Sequence, residues 1–304
     1  MCRVLAYLGA PSAIDGFLYR PDNSLINQAY DPEMNQMLNL AGFGMAAWDP
    51  ASREPHLPFV YRSAALPIFD RNLRALTEKV WASCLLAHVR AVPYTHQSVL
   101  GEQNSHPFTL PGIPLAMAHN GDLAQFGEMR FRLLQHIRPE FARAIAGTTD
   151  SEWVFALLLS QLEDPAAHPT PAELVRAMHE VLRILRRVRD EAGITESSAV
   201  NLFASDGLTL VVARFTFDLG CWQEAPLEKD LRCPSLWYTT GRDYGFRDGE
   251  WKMVGGAERA DSFLFASEPL TTDVSTWVEL PEYSITWVNR ATGVPRVETV
   301  EADA

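Results

Sequence analysis

Apolar residues fall in short runs near both ends of the chain and at helical spacing in its middle. Arg3 to Ala10, Ala41–Trp48, Trp81–Arg90 and Leu115–His119 have the length and content of strands. Gly42 and Gly44 in the second run predict close backbone approach. Asn120-Gly121, a dipeptide suited to a tight turn, closes the fourth. Helices come next. Thr149-Asp150-Ser151-Glu152 has the form of a capping box ahead of an apolar run to Leu162. Thr170-Pro171-Ala172-Glu173 repeats the signal with Pro at the first helical position. Leu174, Met178, Val181, Leu182, Leu185 and Val188 then share one helical face, and Gly193 supplies the stop. Strand patterns return in Ala199–Ala204 and Leu208–Phe217, which flank the hairpin signal Ser205-Asp206-Gly207. Ser235–Thr240, Ser262–Ala266, Thr276–Leu280 and Ser284–Val288 follow.

This order, strands then helices then strands, predicts an α+β fold rather than a doubly wound sheet. Neither an internal repeat nor a low-complexity linker divides the chain. One domain over residues 1–290 is expected, followed by a frayed acidic tail over residues 291–304.

Composition narrows the class. With 304 residues and 47% apolar or aromatic content the chain can bury a core without disulfide or metal support. A formal net charge of −12 repels phosphate backbones and argues against a nucleic-acid partner. Arg183, Arg186, Arg187 and Arg189 cluster on the second helix and read as its solvated face. Gln103–Gly121 lacks Asp, Glu, Lys and Arg but holds three prolines, so it is no membrane span. Met1–Pro11 is too weakly basic and apolar for a secretory signal. Cys2, Cys84, Cys221 and Cys233 form no Cys-x-x-Cys pair, which disfavours a zinc ribbon or redox dithiol. A soluble, cytoplasmic protein is the expectation.

Cys2 carries the chemistry. Removal of Met1, which a small following side chain permits, would leave a thiol and a free α-amine on one residue. An α-amine titrates near ~7.7–8.0, so at neutral pH part of it is a base able to take the thiol proton. Met1-Cys2-Arg3, His88-Val89-Arg90, Asn104-Ser105-His106-Pro107-Phe108, His119-Asn120-Gly121 and Asp150-Ser151-Glu152 occur in that order. Together they resemble the class II, N-terminal-nucleophile glutamine amidotransferases. Asn23-Ser24-Leu25-Ile26-Asn27-Gln28 and Ser267-Glu268-Pro269 are similar to segments of the small members that lack a synthase domain, such as the γ-glutamyl hydrolase of ergothioneine biosynthesis. The resemblance runs from Met1 to about Arg290.

The resemblance implies a four-layer αββα sandwich of two antiparallel sheets, with Cys2 as nucleophile and neither cofactor nor metal. It also implies roles that physical chemistry supports. The Asn120 side-chain amide and the Gly121 N–H would bind the oxyanion of acyl transfer. Arg90 would clamp a substrate α-carboxylate and Asp150 an α-ammonium, with His106 a further substrate-binding residue. His88, His106 and His119 lack the His-x-x-x-His spacing of a helical metal site and are expected to orient loops through hydrogen bonds. No Gly-x-Ser-x-Gly elbow points to a serine hydrolase. Cys84, Cys221 and Cys233 read as packed residues.

Two positions depart from the family pattern: Pro93 stands where Thr is common, and Ala41 where Asp is common. The expected activity is hydrolysis of the γ-amide of glutamine or of a γ-glutamyl amide through a Cys2 thioester. A glutaminase subunit feeding ammonia to a separate synthase is one alternative. A catalytically inactive protein that binds a γ-glutamyl ligand is the other. The expected partners are a small γ-glutamyl substrate and either a synthase or a second copy of the chain, with no nucleic acid and no membrane.

Overall fold

The computed structural model describes residues 2–34, 38–91, 101–219, 234–255 and 260–301. In chain order the elements are β1 (Arg3–Ala13), α1 (Asp15–Leu18), β2 (Phe43–Trp48), β3 (Phe59–Ser63), α2 (Arg71–Thr77), β4 (Trp81–Val89), β5 (Phe108–Thr109) and β6 (Ala116–Gly121). The helical middle is α3 (Phe126–Leu133), α4 (Pro139–Ala144), α5 (Asp150–Ser160) and α6 (Pro171–Ala192). Then come β7 (Ser198–Ser205), β8 (Thr209–Arg214), β9 (Thr216–Phe217), β10 (Trp237–Gly241), β11 (Asp243–Arg247), β12 (Glu250–Val254), β13 (Ser262–Ala266), β14 (Val278–Glu279), β15 (Ser284–Asn289) and β16 (Arg296–Thr299).

Two antiparallel sheets face each other. One has the order β14-β10-β13-β1-β4-β2-β3; the other runs β16-β15-β8-β7-β6-β5, with β9 paired to β7. Alternation along β1 sends Val4, Ala6 and Leu8 into the layer between the sheets, where they meet Ala118, Phe203 and Val212 of the second sheet. Leu5 and Tyr7 point the other way, against Phe17 of α1, Leu73 of α2 and Tyr244 of the β11–β12 hairpin. The outer face of the second sheet is covered by α3 to α6 through Met129, Leu158, Met178, Leu182 and Leu185. Because the central strands are buried on both faces, they appear in the sequence as apolar runs rather than alternations. The result is the expected four-layer αββα architecture, thinner over the first sheet.

Local chemistry accounts for the helix boundaries. Thr170 accepts from the Glu173 N–H while Glu173 accepts from the Thr170 N–H, and Gly193 ends α6 at φ 68°. At α5 only half of the expected box forms. Thr149 accepts from the Glu152 N–H, but the Glu152 carboxylate turns back to the Ala146 and Gly147 N–H groups at 2.9 and 2.7 Å. Gly44 does permit close approach, since a Cβ there would lie 2.1 Å from the His106 carbonyl oxygen.

Four expectations need correction. Asn120-Gly121 forms no turn, because both residues stay in β6, opposite Asn201 and Val200 of β7. The supposed frayed tail contains β16, an exposed edge strand paired with β15, and Val300 is buried. Thr276 belongs to a short 3-10 turn (Val274–Thr276) rather than to β14. Finally, the arginine cluster is only partly solvated. Arg183 pairs with Glu180 at the surface, but Arg189 is fully buried, donating to Ser198 Oγ at 2.6 Å and Asp218 at 2.8 Å. Arg186 joins it on Asp218, and both guanidiniums lie over the Phe217 ring. Burial opposes the charge on Asp218, but the two guanidiniums prevail and hold its carboxyl below the usual range.

Candidate functional site

The site forms where β1 begins, β4 ends and β6 ends. Cys2 immediately precedes β1, and the β1–β4 register places Arg3 opposite Val89. The turn after β4 therefore reaches the thiol, and the Ala91 N–H lies 3.3 Å from Cys2 Sγ. Burial pushes the thiol pKa up; the Ala91 N–H and the charges of Arg90 and Arg3 oppose the rise. Cys84 differs in kind. It is wholly buried between the sheets, 3.2 Å from Ser205 Oγ, and burial pushes its thiol up to about 12.

Arg90 is anchored by its backbone, which exchanges hydrogen bonds with Gly42 and Ala41, each at 2.9 Å. Arg90 is 7% exposed, and its Nη1 has no hydrogen-bond partner among the described residues. Burial lowers its pKa, while the charges of Cys2 and Asp150 raise it. A buried guanidinium nitrogen without a partner is costly unless a ligand satisfies it. Ala41 thus serves Arg90 through its backbone N–H, a role that its side chain does not affect. Pro93, Cys221 and Cys233 lie outside the described residues.

Asp150 opens α5. One carboxylate oxygen accepts from the Ser151 N–H and hydroxyl at 2.7 and 3.0 Å; the other accepts from the Leu123 N–H at 2.7 Å. The helix N-terminus stabilises that negative charge. Ser151 also meets His119 Nδ1 at 2.9 Å, and the Nε2 of that ring faces the Ala199 carbonyl at 3.4 Å. His119 thus ties β6 to α5 and β7 as expected of a loop-orienting histidine.

His88 and His106 do not orient loops that way. Their rings pack at 4.2 Å, His106 meets Phe108 edge-on, and all four ring nitrogens lack a hydrogen-bond partner among the described residues. Burial, reinforced by Arg90 and His119, lowers His88 to about 3, and burial reinforced by His88, His119, Arg90 and Arg62 holds His106 well below its ordinary value. Both are buried, neutral imidazoles. No group of three or more His, Cys, Asp or Glu suited to a metal ion occurs among the described residues.

Asn120 is the penultimate residue of β6. Its Nδ2 donates to Ser267 Oγ at 3.1 Å, and its Oδ1 is buried without a partner. Gly121 is required by space, since a Cβ there would lie 1.8 Å from the Ala199 carbonyl oxygen. Ser267 and Glu268 were visible in the sequence only as part of a family-like tripeptide, without a role. In the fold, Glu268 pairs with buried Arg3 at 3.2 Å, and Arg3 Nη1 donates to the Cys2 carbonyl at 3.2 Å.

Comparison with known proteins identifies the family and the fold. Residues 42–229 match the family model for class-II glutamine amidotransferases. The chain is 31% identical over 311 residues to the probable glutamine amidotransferase DUG3 of Saccharomyces cerevisiae, covering 96% of this chain and 83% of that protein. A glutamine aminotransferase class-II domain protein from Silicibacter pomeroyi superposes with TM-score 0.63 at 21% identity, covering 98% of this chain and 99% of that one. The glutamine phosphoribosylpyrophosphate amidotransferase of B. subtilis superposes with TM-score 0.59 at 16% identity over 98% of this chain and 49% of its own. The structural likenesses establish the N-terminal-nucleophile hydrolase fold, and the family match together with the yeast relative establishes that this chain belongs to the class-II glutamine amidotransferases.

Proposed function

We propose that this chain hydrolyses the γ-amide of glutamine or of a larger γ-glutamyl amide, through a thioester on Cys2 exposed by removal of Met1. The observation that carries this reading is Arg90, a buried guanidinium with an unsatisfied nitrogen, one residue from the Ala91 N–H that contacts the Cys2 thiol. Such a cation beside a thiol suits a substrate that presents a carboxylate a fixed distance from its scissile carbonyl.

The steps follow from the residues present. The α-amine of Cys2 takes the thiol proton, and sulfur attacks the amide carbon. Negative charge collects on the carbonyl oxygen, where the second N–H of Asn120 and the Gly121 N–H stabilise it. The ammonium passes its proton to the departing nitrogen as the carbon–nitrogen bond breaks, leaving a γ-glutamyl thioester. Water, deprotonated by the same amine, attacks the thioester; glutamate leaves and the thiol regains its proton. Arg90 holds the α-carboxylate and Asp150 the α-ammonium. The Asp150 oxygens already accept from Ser151 and Leu123, so the carboxylate is fixed before substrate arrives.

The test combines intact mass with active-site labelling. A glutamine analogue carrying a diazoketone should add to Cys2 in protein that has lost Met1, and the adduct should abolish glutamate release. Cys2→Ser should lose most turnover. A label on Cys84 with Cys2 untouched, or full activity with Met1 retained, would remove the mechanism. Faster release from γ-glutamyl alkylamides than from glutamine points to an amidohydrolase in its own right; the reverse points to an ammonia-supplying subunit.

A further inference from the structure

Ser267 and Glu268 follow β13 directly, opposite the first residues of β1, and the Ser267 N–H donates to the Val4 carbonyl at 2.9 Å. Their side chains diverge toward the two halves of the chemistry. Ser267 Oγ accepts from the Val4 N–H at 2.9 Å, on the nucleophile's own strand, and from Asn120 Nδ2 at 3.1 Å, on the opposite sheet. The single hydroxyl therefore fixes the distance between the strand that carries Cys2 and the amide proposed to bind the oxyanion. It also fixes which end of the Asn120 amide faces the first sheet, leaving the second N–H for the reaction.

Glu268 holds the other half. One oxygen pairs with Arg3 at 3.2 Å, the other accepts from the Met34 N–H at 2.8 Å, and Arg3 in turn donates to the Cys2 carbonyl at 3.2 Å. Glu268 and Arg3 are 1% and 3% exposed, so the pair is desolvated and its geometry strongly constrained. Beneath it lies the 23–28 segment. Asn23 Nδ2 donates to the Pro269 carbonyl at 2.6 Å, the Asn23 N–H to the Leu270 carbonyl at 3.0 Å, and Gln28 Nε2 to the Asn23 carbonyl at 2.9 Å. Asn23–Gln28 and Ser267–Pro269, some 240 residues apart in sequence, thus form one scaffold, joined also by a 3.5 Å bond from Gln28 Nε2 to the Glu268 carbonyl.

We infer that Ser267 and Glu268 are the positioning pair of this enzyme, Ser267 setting the Asn120 oxyanion donor and Glu268 setting Cys2 through Arg3. The inference rests on the proposed roles of Cys2 and Asn120. A misplacement of about 1 Å far from the reacting atoms can cost on the order of 100-fold in rate, so loss of either side chain acts on turnover rather than on substrate capture.

The experiment measures glutamate release by wild type, Ser267→Ala, Ser267→Thr, Asn120→Ala and the Ser267→Ala/Asn120→Ala double variant. Ser267→Ala should lower kcat roughly 10–100-fold with KM changed less than about threefold, and Ser267→Thr should restore most of the loss because it keeps the hydroxyl. The double variant should be no slower than Asn120→Ala, since Ser267 acts through that amide. Glu268→Gln keeps the shape and removes the charge, so the Arg3 cation, no longer offset by that carboxylate, should move the pH midpoint of Cys2 alkylation downward. Independent, multiplicative losses in the double variant, or an alkylation midpoint that does not move, overturn the assignment. Failure of the underlying reading looks different: the wild type itself would then show no Cys2 adduct.

Discussion

The packed pair His88 and His106 should make this fold acid-labile at mild pH. Both rings are buried without hydrogen-bond partners among the described residues, and both are held neutral by that burial. In the unfolded chain each titrates near 6.5, whereas folded His88 titrates at about 3. The unfolded state therefore binds more protons throughout that window, and stability falls as pH falls from 6.5 toward 3. The His88 contribution is complete above the unfolded value; by about pH 5 roughly 2 kcal/mol of it has gone. His106 shifts in the same direction and deepens the loss. Urea unfolding near pH 7.5 and near pH 5 measures the difference, and His88→Phe, which keeps a ring without titrating, isolates the histidine. The variant should lose about 2 kcal/mol less than wild type between the two conditions. Exposed carboxylates titrate equally in both proteins and cancel. Identical pH dependence in the two proteins would show that His88 is protonated in the fold or hydrogen-bonded there, and the reasoning fails.

Two further outcomes are expected. Asn120→Ala should lower kcat for glutamate release by roughly 10²–10³ with little change in KM, while Arg90→Lys should chiefly raise KM because a point charge cannot reproduce the fork; the opposite pattern would exchange the two roles. Arg189→Leu removes one of the two guanidiniums on Asp218 and the side-chain donor to Ser198 Oγ and the Glu196 carbonyl, so the unfolding free energy should drop by about 1–3 kcal/mol; an unchanged urea midpoint would show that the buried cation contributes nothing net.

The long elements were legible because their determinants are local. The helix α6 carries its N-cap, its apolar stripe and its stop within one segment, and the runs of β1, β4 and β13 needed only recognition as strands buried on both faces. What escaped lacked such a signal. Hairpin β11–β12 is largely exposed on one side, with Phe246 open to solvent, and β5 has two residues. Asn120-Gly121 misled for a different reason. The dipeptide favours a turn on its own, but pairing with Asn201 and Val200 outweighs that preference, and the missing Cβ serves the Ala199 carbonyl instead of a turn. Arg189 was misassigned because helical spacing alone cannot say that Asp218, Ser198 and the Glu196 carbonyl close over one side of α6.

The candidate site divides along the same line. Cys2, Arg90, Asn120 and Asp150 stand at strand or helix ends, where a family-like order of short motifs can be seen, and each carries a side chain whose chemistry suggests a task. Ser267, Glu268 and Arg3 do their work through contacts between segments that no local pattern connects. A serine after a strand and a buried ion pair are ordinary features when read singly. Their meaning comes from the register of β1 against β13, which sets Val4 opposite Ser267 and Arg3 beside Glu268. That register depends on burying Leu5 and Tyr7 on one face and Val4 and Ala6 on the other, because a slip of one residue would exchange the two sets. The packing of β1 on its two buried faces, which carries no chemistry itself, is therefore what brings the strand of the proposed nucleophile and the proposed oxyanion donor to a shared hydroxyl.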